Sequence, residues 1–183
     1  MNNEELLNGC KQNNSHAQKE LYLRYGGKML VVCLRYTHHR AEAEDLLQEG
    51  FIKVFKHIHE FRNEGSFEGW IRRIMVNTAL KQLQKQRPVW MEETNEIFEV
   101  HNNWNDALDK ISEKELLQRI GNLPVGYKIV FNLYVLEGYS HAEIAALLKI
   151  KESTSRSQLV KARMMLQKII VKGEVVNTSS LTK

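Results

Sequence analysis

Histidine and carboxylate clusters are the side chains best able to hold a metal or move a proton, and this chain groups them as His57, His59 and Glu60 in the segment HIHEF. On a helix, positions two apart point about 200° from one another, so His57 and His59 cannot share one ion. His38 and His39, at an expected turn, lack a partner at fixed spacing. No glycine-rich phosphate loop, nucleophile elbow or paired-carboxylate signal is present. No metal, cofactor or small-molecule substrate is therefore expected, and no enzyme. The chemistry has to be sought in binding.

Binding chemistry is concentrated in two places. From Phe61 to Arg87 the chain reads FRNEGSFEGWIRRIMVNTALKQLQKQR: a loop with Gly65 and Gly69 among Phe61, Phe67 and Trp70, then a helical pattern exposing bases and Asn77. Aromatic faces beside cations suit single-stranded nucleic acid, whose unstacked bases need a surface and whose phosphates need counter-charge. Core packing is the better reading for Trp70 and Ile74, and an equal one for Phe61 and Phe67. The second place is Tyr139 to Arg163, YSHAEIAALLKIKESTSRSQLVKAR. Ser140 and Glu143 make a capping box before a short apolar helix. A second run begins near Ser153, with Leu159, Ala162, Leu166 and Ile169 as its buried stripe and Thr154, Ser157 and Lys161 opposite. Small hydroxyls at a helix start and cations further along suit a helix in a DNA major groove, where bulky side chains would hold it off the bases. A surface hairpin with a solvated basic face fits this stretch alone equally well.

The elements that position these groups follow from pattern. A chain of 183 residues, 43% apolar, can build one ordinary domain or two small ones. The net charge of +4 is segregated: five bases and no acid from Arg72 to Arg87, six acids and no Lys or Arg from Pro88 to Asp109, six bases against Glu152 alone from Lys151 to Lys172. Basic blocks of this kind point to a polyanion partner, or to solubilising faces. Helical spacing recurs over Ser15–Tyr36, Ala41–Phe61 and Phe67 to Pro88, and Pro124 opens a helix over Val125–Leu136. Nothing alternates with period two. The expected architecture is all-α: a domain over 1–87, an acidic linker over 88–108, a helix-turn-helix domain over 109–172 and a frayed tail over 173–183. Trp90, Ile97, Phe98 and Trp104 in the linker either anchor it in a partner's groove or cover apolar surface of the domains. Two cysteines, Cys10 and Cys33, are too few for a disulfide framework, and neither a leader nor a membrane span is evident, so a reduced, cytoplasmic protein is expected.

Upstream of the aromatic loop, AEAEDLLQEGFIKVFKHI sets Asp45, Gln48, Glu49 and Ile52 on one stripe, opposed to Leu47, Phe51 and Val54. This is a docking face or a solvated one. The three blocks in this order, DLLQEGFIKVFK, then FRNEGSFEGWIRRIMVNTALK, then LPVGYKIVFNLYVLEGYSHAEIAALLKIKESTSRSQLVKAR, resemble the extracytoplasmic-function (ECF) sigma factors of bacterial RNA polymerase, from about Leu21 to Ile170. The resemblance implies a promoter-directing subunit that binds core RNA polymerase, through Asp45, Gln48 and Glu49. It implies that the loop and following helix hold the melted minus-ten element, through Phe61, Asn63, Phe67, Arg73, Asn77 and Lys81. It implies that the helix from Ser153 reads the duplex minus-thirty-five element, through Ser153, Thr154, Arg156, Ser157, Val160, Lys161 and Arg163. A dedicated anti-sigma factor is a partner such proteins often have. Three positions depart from the family pattern. Lys149 replaces a turn glycine, which implies a strained or altered turn. Lys151 replaces a Ser or Thr cap, which implies a helix starting later, at Ser153. Ser155 replaces an aliphatic residue, which implies looser packing of that first turn. The alternative from the residues themselves is an autonomous dimeric helix-turn-helix regulator; a metal-dependent hydrolase built on the histidines is a third.

Overall fold

A computed structural model describes residues 2–37, 39–86 and 112–178, the side chains of 85–86, 113–114 and 171–178 excepted. The expected linker, with its four aromatic and apolar residues, lies outside the described residues, as does His38. The chain clusters into two compact units, Met1–Arg87 and Pro88–Lys183, and every described element is helical.

The first unit starts earlier than helical spacing suggested. Helix α1 spans Asn3–Lys11 and is set by a capping box in which Asn2 Oδ1 accepts from the Glu5 N–H at 2.8 Å and the Glu5 carboxylate accepts from the Asn2 N–H at 2.9 Å. Its Leu6, Leu7 and Cys10 are buried. Helix α2, Ser15–Leu34, is capped by Asn14, whose Oδ1 accepts from His16 N–H and Ala17 N–H. It buries Ala17, Leu21, Tyr25, Met29, Val32 and Cys33, one face at helical spacing. Helix α3, Arg40–His57, tightens into a 3-10 turn over Ile58–Glu60, and α4 spans Phe67–Gln86. Helices α2, α3 and α4 pack against one another, with Leu46, Phe51, Val54, Ile71, Met75, Val76 and Ala79 in the shared core. The α3–α4 contact is close. A Cβ on Gly50 would lie 2.1 Å from the Met75 sulfur, so any larger residue there makes the Met75 side chain shift.

In the second unit, α5 spans Glu113–Gly121, capped by the Ser112 hydroxyl, which accepts from Glu115 N–H. Helix α6, Val125–Phe131, starts after Pro124 and is the centre of the unit, with Tyr127, Ile129, Val130, Phe131 and Leu133 buried in or just after it. The sequence pattern predicts an unbroken α-helix to Leu136. Instead Asn132–Leu136 is a π-helical turn, closed by Glu137 N–H to Asn132 C=O and followed by Gly138 at φ +76°. The wider turn is a hydrogen-bonding choice, which hydrophobic spacing does not encode. Helix α7, His141–Leu148, has the expected capping box: Glu143 Oε2 accepts from Ser140 N–H at 2.8 Å, and Ser140 Oγ from Glu143 N–H at 3.3 Å. Helix α8 spans Glu152–Thr178 and packs on α5, α6 and α7. Its helical backbone continues six residues past the expected boundary after Lys172, through Gly173, because a single glycine costs a helix only about 1 kcal/mol.

The glycines offer a paired test. Gly50→Ala forces the buried Met75 to move and should lower stability, by about 1–3 kcal/mol of overpacking less the helical gain of roughly 1 kcal/mol. Gly27→Ala meets nothing within 4 Å and should raise stability by about 0.5–1 kcal/mol. Urea denaturation followed by circular dichroism reads both, and a stabilising Gly50→Ala would contradict the close packing.

Candidate nucleic-acid interface and docking face

Helix α3 turns its polar stripe outward because Leu46, Leu47, Gly50, Phe51 and Val54 commit the other side to the core. Asp45, Gln48 and Glu49 are all exposed, and Ile52 stands beside them at 67% exposure. Glu49 is also tied inward. Its carboxylate accepts from Lys53 Nζ at 2.6 Å, and the same ammonium donates to Thr78 Oγ1 of α4 at 3.2 Å. Thr78 is buried and donates in turn to the Ile74 carbonyl. The docking face and α4 are thus joined by a polar link as well as by the core.

On α4, Arg73, Asn77 and Lys81 are exposed at spacings of four, one line along the helix. The loop before it runs over exposed Arg62 to Ser66 with two left-handed residues, Asn63 at φ +59° and Gly65 at φ +96°. Its aromatics form one cluster. Phe61 lies 4.9 Å from Phe67 and 5.6 Å from Trp70 by ring centroid, Phe67 stacks on Trp70 at 5.9 Å, and Tyr25 meets Phe67 edge-on. Phe61 is only 7% exposed, whereas Phe67 is half-buried. Of the two phenylalanines that sequence left equal, Phe67 keeps an open surface and Phe61 supports it from below.

The outer face of α8 carries Ser153, Arg156, Ser157, Val160 and Arg163, all exposed, with Lys161 half-buried at its side. Arg156 is ion-paired to Glu152 one turn back, and Ser157 Oγ donates to the Thr154 carbonyl at 3.0 Å. Two expectations are corrected. The helix begins at Glu152, because the Lys151 carbonyl already accepts from Ser155 N–H at 3.1 Å. Thr154, placed on the outer face by its spacing from Leu159, is 9% exposed and belongs to the buried side. That side is wider than an apolar stripe reveals, since Thr154, Ser155 and Gln158 join it.

Lys149 adopts φ +57°, ψ +42°, the left-handed conformation that ends α7. A glycine would take it freely, whereas lysine pays steric strain. Ser155 is fully buried, and His141 Nδ1 lies 2.9 Å from its Oγ, while the imidazole stacks on Tyr134 at 4.4 Å. Burial first, then the Arg156 and Arg163 cations, hold the His141 pKa below its ordinary value, with Glu152 opposing them. Sequence reasoning did not single out His141. The signal was a ring-bearing residue directly after the Ser140 cap, facing the departure at Ser155. Elsewhere burial pushes the Cys33 thiol up to about 12 and lowers the Lys128 ammonium. His57 is paired with Glu60 at 2.7 Å, and among the described residues no three His, Cys, Asp or Glu side chains converge on a metal position.

Two helical units, the second with a basic and hydroxyl outer face on its last helix, are an arrangement suited to a DNA-binding regulatory protein. Comparison with known proteins narrows this. The family model for Sigma-70 region 2 matches residues 21–89, and that for Sigma-70, region 4 matches residues 113–166. The ECF RNA polymerase sigma-E factor of Haemophilus influenzae is 31% identical over 179 residues, 91% of this chain and 94% of that protein. The RNA polymerase sigma-H factor of Pseudomonas aeruginosa is 29% identical over 180 residues, 91% of this chain and 93% of that one. Among solved structures, sigma factor RpoE of Bartonella quintana, crystallised with the anti-sigma factor NepR, gives a TM-score of 0.53 at 18% identity over 84% of this chain and 96% of that one. CnrH in complex with the cytosolic domain of CnrY gives 0.52 at 19% identity, over 91% and 96%. These two share its fold. The chain belongs to the ECF family of RNA polymerase sigma factors, and directs RNA polymerase to promoters. The match to region 2 leaves the autonomous dimeric regulator without support, because such a protein needs only the second unit.

Two outcomes test the local geometry of the second unit. Lys149→Gly should raise its stability by about 1 kcal/mol by relieving the left-handed strain. The depressed His141 pKa contributes stability that is present above the unfolded value of 6.5 and is lost as pH falls through the folded value. Thermal unfolding between pH 8 and pH 5, with His141→Asn as the control lacking that titration, reads the second.

Proposed function

We propose that the chain divides promoter recognition between its units. Residues 1–87 dock on core RNA polymerase through Asp45, Gln48 and Glu49, with Ile52 as the apolar centre of the contact. The same unit holds the melted minus-ten strand between the Phe61–Phe67 loop and the exposed line of Arg73, Asn77 and Lys81, with Asn63 at the loop tip. Phe67 offers the stacking surface, and Phe61 backs it. Residues 109–172 read the duplex minus-thirty-five element through Ser153, Arg156, Ser157 and Val160, while Lys161 and Arg163 grip phosphates; Thr154 acts through its backbone and packing. Residues 88–108 join the two and 173–183 are a tail. The protein works in the cytoplasm, without a catalytic centre, cofactor or small-molecule substrate.

The observation that carries this reading is that polar and basic residues lie in unbroken exposed lines on α3, α4 and α8, each opposite a face committed to its unit's core. Hydroxyls and a valine near a helix start permit close approach to base edges, and flexible cations suit backbone oxygens. An anti-sigma factor is a further partner, since the RpoE and CnrH structures are complexes, the former with an anti-sigma factor.

Reconstituted transcription with core enzyme tests the division. Asp45→Arg should weaken core binding and leave the fold intact, since exposed charge swaps change stability by less than about 0.5 kcal/mol. Phe67→Ala should lower open-complex formation on duplex promoters more than on premelted templates, a stack being worth about 1–3 kcal/mol. Lys161→Ala should weaken matched and mismatched upstream elements alike and reduce the salt slope by about one phosphate contact. Arg156→Ala should erode discrimination instead, by roughly 1–3 kcal/mol on the preferred sequence. Equal defects of Phe67→Ala on both templates would make that ring structural, and unchanged sequence preference in Arg156→Ala would remove its base-reading role.

A further inference from the structure

Three elements of the second unit meet at one ring. His141 is the first residue of α7, Tyr134 belongs to the π-helical turn, and Ser155 stands in the first turn of α8. The imidazole lies against Tyr134 with centroids 4.4 Å apart and planes 22° from parallel, and its Nδ1 is 2.9 Å from Ser155 Oγ. Ser155 is 0% exposed. The helix-turn-helix therefore contains, between its two helices, a directional polar contact where an aliphatic residue would give a sliding one.

The direction matters because of where Ser155 sits. Arg156 follows it in the chain, Ser153 precedes it by two residues, and Ser157 follows by two. An apolar contact is satisfied by many rotations of a helix about its axis, whereas a hydrogen bond to a stacked ring is satisfied by few. A buried hydroxyl also resists losing its partner. Without the imidazole, Ser155 would either stay unpaired or turn to the carbonyl four residues back, Lys151, and such back-bonding bends a helix. Either outcome displaces the first turn of α8.

We propose that His141 is a positioning residue for promoter discrimination: clasped between Tyr134 and the Ser155 hydroxyl, its ring fixes the rotation of the first turn of α8 and, through it, the base-facing set Ser153, Arg156 and Ser157. The inference rests on the reading of α8 as the upstream-element helix. It assigns His141 no contact with DNA. Its effect falls on sequence preference, because the phosphate-gripping Lys161 and Arg163 lie two turns further on and are held by the Leu159, Ala162 and Leu166 packing.

The test uses the full chain assembled with core polymerase, presented with promoter duplexes randomised across the upstream element; retained duplexes are counted and sequenced. His141→Phe keeps the stack and removes the Nδ1 partner of the Ser155 hydroxyl, and should cut enrichment of the wild-type motif by about tenfold, the scale of one misread base pair. Total retention should change by less than about twofold, because backbone contacts dominate it. His141→Asn, whose amide oxygen falls near the place of Nδ1, should keep the motif. The pair His141→Phe with Ser155→Ala should fall no further than Ser155→Ala alone, since the unpaired hydroxyl is gone. If His141→Phe enriches the wild-type motif undiminished, or if His141→Asn loses it as fully as His141→Phe does, His141 only packs and the proposal is overturned. Should His141→Phe fail to assemble, loss of the motif in His141→Asn overturns it equally. A wild-type holoenzyme that enriches no upstream motif overturns the reading of α8 itself, and the proposal with it.

Discussion

The close approach of α3 and α4 at Gly50 and Met75 is the constraint on which the first unit depends. Both functional faces of that unit lie on these two helices, the carboxylate and amide stripe on α3 and the basic line on α4. Their separation is set by how near the helix axes can come, and a glycine opposite a flexible thioether brings them nearer than two ordinary side chains would allow. Lys53 adds a polar link across the same seam by reaching both Glu49 and Thr78. The stripe proposed to face polymerase and the line proposed to face melted DNA are thereby parts of one packed unit. The aromatic cluster of Phe61, Phe67 and Trp70 continues that body to the loop, so that the half-exposed Phe67 is backed by two further rings.

In the second unit the equivalent constraint is the angle between α7 and α8. Two features bear on it. Lysine in a left-handed turn stores strain that the capping and packing of α7 must outweigh, and Ser155 exchanges apolar contact for a hydrogen bond to His141. Buried polar contacts add little net stability but are selective about geometry. A recognition helix needs that selectivity more than it needs stability, because a small rotation moves every side chain at a base edge.

Much of this protein was legible in its sequence. Segregated charge, prolines at helix boundaries and the absence of period-two alternation determined an all-helical chain. The capping box at Ser140 and Glu143 located α7 to the residue, because its hydrogen bonds are local in sequence. The exposed stripes on α3, α4 and α8 were also readable, since a 3.6-residue period assigns faces before any tertiary contact exists. The same logic could have found α1 from Asn2 and Glu5, a box written with asparagine in place of serine or threonine.

What tertiary structure alone decided are the places where a face is not apolar or a turn is not local. Thr154 and Ser155 are buried, and a rule that reads burial from hydrophobicity puts small hydroxyls outside. Phe61 and Phe67 are identical in type and six residues apart, yet one is core and the other half-open, a difference that residue type does not carry. The π-helical turn and the His141 clasp join residues that no periodicity relates. Sequence determined which residues could touch DNA, since polarity and period are properties of the chain. Their placement relative to one another was decided by contacts between helices, whose energies depend on distances that only the folded chain possesses.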